Sequence, residues 1–73
     1  MPEFGITTEV AGRVCKLAVQ PGTHVGEGEE VVVVEAMKME IPATSPAAGI
    51  VKSILVGVDD LVGEGQLVAI LET

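Results

Sequence analysis

Residues 31–40, Val-Val-Val-Val-Glu-Ala-Met-Lys-Met-Glu, set one of only three lysines between two methionines at the end of a valine run. Lys38 has a carboxylate on either side, Glu35 before it and Glu40 after it. A lysine amine in water is protonated at neutral pH and attacks electrophiles poorly. Flanking carboxylates favour the charged form further, so catalysis by this amine is not expected, and no other residue is put forward as catalytic. Acylation by a second enzyme suits such a lysine better. The amide would hang a carried group on a four-carbon stem, at high local concentration for any active site within reach. That use requires the fold to present one amine rigidly and to keep the others unlike it. On spacing alone, a plain solvated turn lysine is an equal reading.

The remaining polar residues offer weaker chemistry. Gly26, Gly28, Gly63 and Gly65 sit in Val-Gly-Glu-Gly runs that lack the third glycine and the following helix of a nucleotide loop, so they read as turn or bulge glycines. Val-Asp-Asp at 58–60 lacks the further oxygen ligands of a calcium loop and reads as a turn. His24 is the single histidine and Cys15 the single cysteine, which leaves no metal-ligand set and no internal disulfide. Cys15 is expected to be a partly exposed, unmodified thiol.

These residues belong to a chain of 73, the size of one small domain. Nearly half is apolar, but as Val, Ile, Leu and Ala with a single Phe4, a composition that favours strands. A formal net charge of -7 with four scattered cations, Arg13, Lys16, Lys38 and Lys52, argues against nucleic acid. No apolar run approaches the roughly 20 residues that span a bilayer, and the first residues lack a signal-peptide pattern. No membrane partner is expected, and the expected setting is the cytoplasm or an organelle matrix.

A repeat organises the strands. Shifted by 37 positions, residues 2–36 align with 39–73 without a gap, and 12 of the 35 pairs are identical, among them Gly12/Gly49, Val25/Val62, Gly28/Gly65 and Glu35/Glu72. Two copies are too few for a solenoid, so two halves related by a pseudo-twofold axis around one core are expected. Each half offers about four β-rich runs punctuated by Gly, Pro and Asp turns, and helical periodicity is absent. The expectation is an all-β fold: a flattened barrel or sandwich of two four-stranded antiparallel sheets, spanning residues 1–73 as a single domain. The turn at 37–39 and the chain ends are then equivalent places on opposite poles. Lys16 and Lys52 fall inside strand patterns, away from that tip. The repeat also aligns His24 with Leu61, which suggests a partly buried strand or turn position for His24.

The segment Glu-Ala-Met-Lys-Met-Glu-Ile-Pro, residues 35–42, together with the duplicated Gly-Glu-Gly turns, resembles the biotin-attachment motif of the biotinyl/lipoyl carrier family, and the likeness runs through essentially the whole chain. The resemblance implies the barrel-sandwich hybrid fold and covalent biotin on Lys38, added by a biotin protein ligase. It implies a shuttle of carboxylate between a biotin carboxylase and a carboxyltransferase acting on an acyl-CoA or an oxo-acid such as pyruvate, with no catalysis by the carrier itself. Glu35, Ala36, Met37, Met39 and Glu40 would then be recognition elements around the site. Met37 and Met39 have a second reading as packing for the barrel rim, and Glu35 and Glu40 one as plain turn-flanking charges. Lipoyl members of the family usually carry Asp before and Ala after the lysine, so the methionines favour biotin. The alternative is a lipoyl carrier of a 2-oxo-acid dehydrogenase or glycine-cleavage system.

Overall fold

The 37-residue offset reappears strand for strand in the computed structural model, which describes residues 2–73. Its elements are β1 (Glu3–Thr7), β2 (Gly12–Leu17), β3 (His24–Val25), β4 (Glu30–Ala36), β5 (Met39–Thr44), β6 (Gly49–Ile54), β7 (Leu61–Val62) and β8 (Leu67–Glu72). All described regular structure is strand. One sheet has the order β1-β8-β6-β3 and the other β5-β4-β2-β7. Replacing each strand of the first by its repeat mate gives the second, as the pseudo-twofold expectation requires. Both sheets are antiparallel throughout. Neither closes on itself, so the barrel-sandwich is built from two open sheets.

The symmetry extends to single hydrogen bonds. Thr8 N–H donates to Gln66 O at 3.0 Å, and its mate Ser45 N–H donates to Glu29 O at 2.9 Å. The Thr8 hydroxyl donates to Val10 O and the Ser45 hydroxyl to Ala47 O, which satisfies both buried side chains. Gly28 and Gly65 take positive φ of 83° and 78° in matched turns. An L side chain there would be strained, which explains the second glycine of each Gly-Glu-Gly.

The valine run has a physical reason. In a regular strand alternate residues face opposite ways, yet Val31, Val32 and Val34 all belong to the core. A register shift between Glu30 and Val32 in the β4–β5 ladder leaves Val31 as an extra residue, and such a bulge re-aims side chains. Val31 and Val32 are therefore buried in succession. Val33, at 5% exposure, lies between Lys16 of β2 and Pro42 of β5 in the ladder. The mate of Val31 is Val68, skipped in the same way between Thr7↔Leu67 and Ile6↔Ala69.

Ile6, Val14, Val51 and Leu71 complete the centre of a core without aromatic rings. Phe4 stays 45% exposed.

Strand direction fixes the two poles. β1 starts beside the end of β8 at Glu3↔Glu72, and residues 8–11 then deliver the chain to Gly12 and Arg13, which lie beside Glu35. The chain ends thus meet at one pole, and the β4–β5 hairpin occupies the other. Thr73 N–H donates to Pro2 O at 3.0 Å. Those two residues are the repeat mates of Ala36 and Met39, the pair that closes the hairpin.

Candidate functional site

The β4–β5 connection has two residues, Met37 and Lys38, between the paired Ala36 and Met39. Both take positive φ, 52° and 65°, the signature of a type I′ turn, whose twist matches that of the flanking strands. Such turns favour Asn-Gly. A methionine and a lysine held there carry steric strain on the order of 1–2 kcal/mol per residue. Strain retained at a tip that contributes nothing to the core points to use of the side chains themselves.

Lys38 is exposed, and among the described residues it takes part in no ion pair or side-chain hydrogen bond. Met37 is 94% exposed and Met39 63%, so the rim-packing reading fails for both. Large apolar side chains therefore stand in water on either side of an unengaged amine, an arrangement the packing of this fold does not require.

One register position behind the closing pair, Glu35 of β4 faces Glu40 of β5. Like charges directly opposite in a ladder repel, and a cation relieves this pair. Arg13 of β2, opposite Glu35 on its other side, places Nη2 2.9 Å from Glu35 Oε1 and Nη1 2.5 Å from Asp59 Oδ1. The Glu35 hydrogen bond, then the Asp59 one, raise the pKa of a guanidinium that is already always charged. Glu35 is therefore an ion-paired residue rather than a plain flanking charge, whereas Glu40 has no cation partner among the described residues. Ala36 is half-buried and small, as befits the last residue before the turn.

A close approach sets the base of the hairpin. A Cβ on Gly12 would lie 2.3 Å from Glu35 O and 2.9 Å from Val34 Cγ1. Only glycine lets β2 run this close to β4. Its mate Gly49 meets Glu72 O at 2.6 Å in the same way. At the chain-end pole the matching acids are Glu3 and Glu72, and there Lys52 pairs with Glu3 instead.

The other lysines stand within strands as expected, Lys16 on β2 and Lys52 on β6. Cys15 is half-buried, its thiol donating weakly to Val33 O at 3.5 Å. The expected partial burial of His24 is not found, nor is its mate Leu61 buried. Both are exposed, Leu61 at 81%, because β3 and β7 are two-residue edge strands whose inward residue is the following valine, Val25 or Val62. The role of Arg13 is absent from the sequence reading, since its partner Asp59 lies 46 residues away.

The chain is similar to known proteins over nearly its whole length. The biotin/lipoyl family model described as "Biotin-requiring enzyme" matches residues 1–71. The chain is 36% identical over 66 residues to the biotinylated protein TB7.3 homolog of Mycobacterium leprae, covering 90% of this chain and 93% of that one. It is 42% identical over 67 residues to the mitochondrial propionyl-CoA carboxylase alpha chain of Homo sapiens, covering 92% of this chain and 9% of that one. The crystal structure of Kluyveromyces lactis urea carboxylase superposes with a TM-score of 0.94 at 33% identity, over 99% of this chain and 6% of that chain. The chain thus spans most of a small biotinylated protein and a minor part of the carboxylases.

Proposed function

This chain belongs to the biotin-requiring enzyme family, as a biotin-carrier part and not a catalytic one, and we propose that Lys38 is the residue to which biotin is joined. The observation that carries the assignment is the hairpin tip: an unengaged amine, between two exposed methionines, on a two-residue turn held in left-handed geometry. Lys16 and Lys52 lie within strands, and Lys52 is engaged by Glu3. The residues at the tip fit the group, because Nζ is open to an enzyme that approaches along the hairpin axis.

In the attachment step Nζ, as the free amine, attacks an activated carboxyl of biotin bound by a biotin protein ligase. An amide forms, the activating group leaves, and the nitrogen loses a proton. Once attached, biotin supplies the ureido nitrogen that carries carboxylate between a biotin carboxylase and the carboxyltransferase of a biotin-dependent carboxylase. The chain's own residues hold the stem at a rigid tip and keep the carried group clear of the sheets. An acyl-CoA carboxylase is the setting that the propionyl-CoA carboxylase relatives support, and residues 1–73 act there as one carrier domain.

Intact mass after co-expression with a biotin protein ligase tests the reading. One biotin adduct on the wild-type chain, and none on Lys38→Arg, is expected. A lipoyl adduct, or a biotin adduct that survives Lys38→Arg, would overturn it.

A further inference from the structure

The register places four residues in one line across the second sheet at the hairpin pole: Leu61 of β7, Arg13 of β2, Glu35 of β4 and Glu40 of β5. Directly opposite residues in antiparallel strands share a face, so all four side chains stand on the same outer surface. Strands are spaced about 4.8 Å apart, which makes the line roughly 14 Å long. It lies two residues, or roughly 7 Å, behind the turn.

The fold contains its own control. The equivalent line at the chain-end pole is His24, Ile50, Glu72 and Glu3. There the edge residue is a histidine, and the acid on the outer strand is engaged by Lys52. At the hairpin pole the edge residue is Leu61, 81% exposed, and the outer acid, Glu40, has no cation partner among the described residues. Val58, the mate of Pro21, adds a second exposed apolar side chain at 53%. It precedes Asp59, which is pinned by Arg13 and by its own N–H donation to Val14 O at 2.7 Å. Shared backbone geometry therefore carries different surfaces at the two ends: the solvent-facing leucine and an unpaired acid on the outer strand occur at the end that bears Lys38, whereas at the other end the acid outside the ion pairs is Glu72 on the inner strand β8.

We propose that this line is the docking face for the ligase that modifies Lys38, with Leu61 entering an apolar recess and Glu40 meeting a cationic side chain of that enzyme. The Arg13–Glu35–Asp59 cluster between them is ion-paired within itself, one cation serving two carboxylates, and serves as a positioning platform. The proposal rests on Lys38 being the biotin site. It commits to the ligase over the carboxylase because the bare amine has only its own four-carbon stem. An enzyme that takes Nζ into its active site must cover the surface roughly 7 Å behind it, whereas later partners meet an arm lengthened by biotin. The complementarity is electrostatic as well, since a carrier of net charge -7 steers toward a basic face.

Steady-state modification by a biotin protein ligase, followed by intact mass on the full chain, tests this. Leu61→Ala and Glu40→Gln are each expected to raise KM about fivefold to tenfold with kcat unchanged, the pattern of lost docking contacts. His24→Ala, the control at the other pole, is expected to match wild type. All three positions are exposed, and circular dichroism checks that each variant folds. A wild-type KM for Leu61→Ala and Glu40→Gln, or an equal rise for His24→Ala, would overturn the docking face. Wild-type chain left unmodified would overturn the functional reading and this proposal with it, an outcome distinct from modified wild type with indifferent variants.

Discussion

Arg13 and Glu35 face each other across β2 and β4, with Nη2 2.9 Å from Oε1, one register position behind the pair that closes the lysine-bearing turn. The same guanidinium reaches Asp59, so one exposed side chain ties two strands and the β6–β7 loop together at the hairpin base. Exposed ion pairs contribute little to global stability. Arg13→Ala should therefore leave the melting temperature almost unchanged while amide hydrogen exchange at residues 36–39 accelerates. A large fall in melting temperature with unaltered local exchange would show that Arg13 supports the fold rather than the tip.

The turn itself separates strain from recognition. Met37 sits at φ 52°, and asparagine tolerates that region better. Met37→Asn is expected to stabilise the chain by about 1 kcal/mol in urea denaturation. If ligases read the methionine, biotin attachment slows even as stability rises, a trade familiar at functional sites. Faster attachment to the more stable variant would show that the side chain at position 37 is not read.

Gly12 and Gly22 test two different needs for glycine. A Cβ at Gly12 meets the Glu35 carbonyl at 2.3 Å, a backbone atom that cannot move aside alone, whereas nothing lies within 4 Å at Gly22, whose φ is +93°. Gly12→Ala should cost about 2–3 kcal/mol by overpacking. Gly22→Ala should cost about 1–2 kcal/mol through the left-handed backbone alone. Equal costs in denaturant titrations would contradict the close approach of β2 to β4.

The bulge at Val31 is open to an isosteric test. Val31 is fully buried and Val58 is 53% exposed. Val31→Thr buries a hydroxyl in an apolar setting and should destabilise by about 1–3 kcal/mol. Val58→Thr should be nearly neutral. A tolerated threonine at 31 would place that side chain toward water and remove the account of the valine run.

Much of this is legible in the sequence alone. The gapless offset reveals the duplication, and alternation with turn residues reveals eight strands, because both are local properties of the chain. The Met-Lys-Met segment likewise places the lysine at the midpoint reversal. Features that depend on register between the halves were hidden. His24 reads as partly buried because its repeat mate is a leucine, yet a two-residue edge strand has one inward place, which Val25 takes in β3 and Val62 in β7. Arg13 looked like a scattered cation because Glu35 and Asp59 become its neighbours only after β2 pairs with β4 and the 55–60 loop folds over.

The hydrogen bond from Thr73 to Pro2 has a mechanical corollary. The first and last strands meet antiparallel where the described chain begins and ends, so tension applied through both of those points would open β1 from β8 like a zipper, one rung at a time, instead of shearing many rungs together. Such yielding begins at the far end of the molecule from Lys38. A tug there would be absorbed before it reached the lysine-bearing turn.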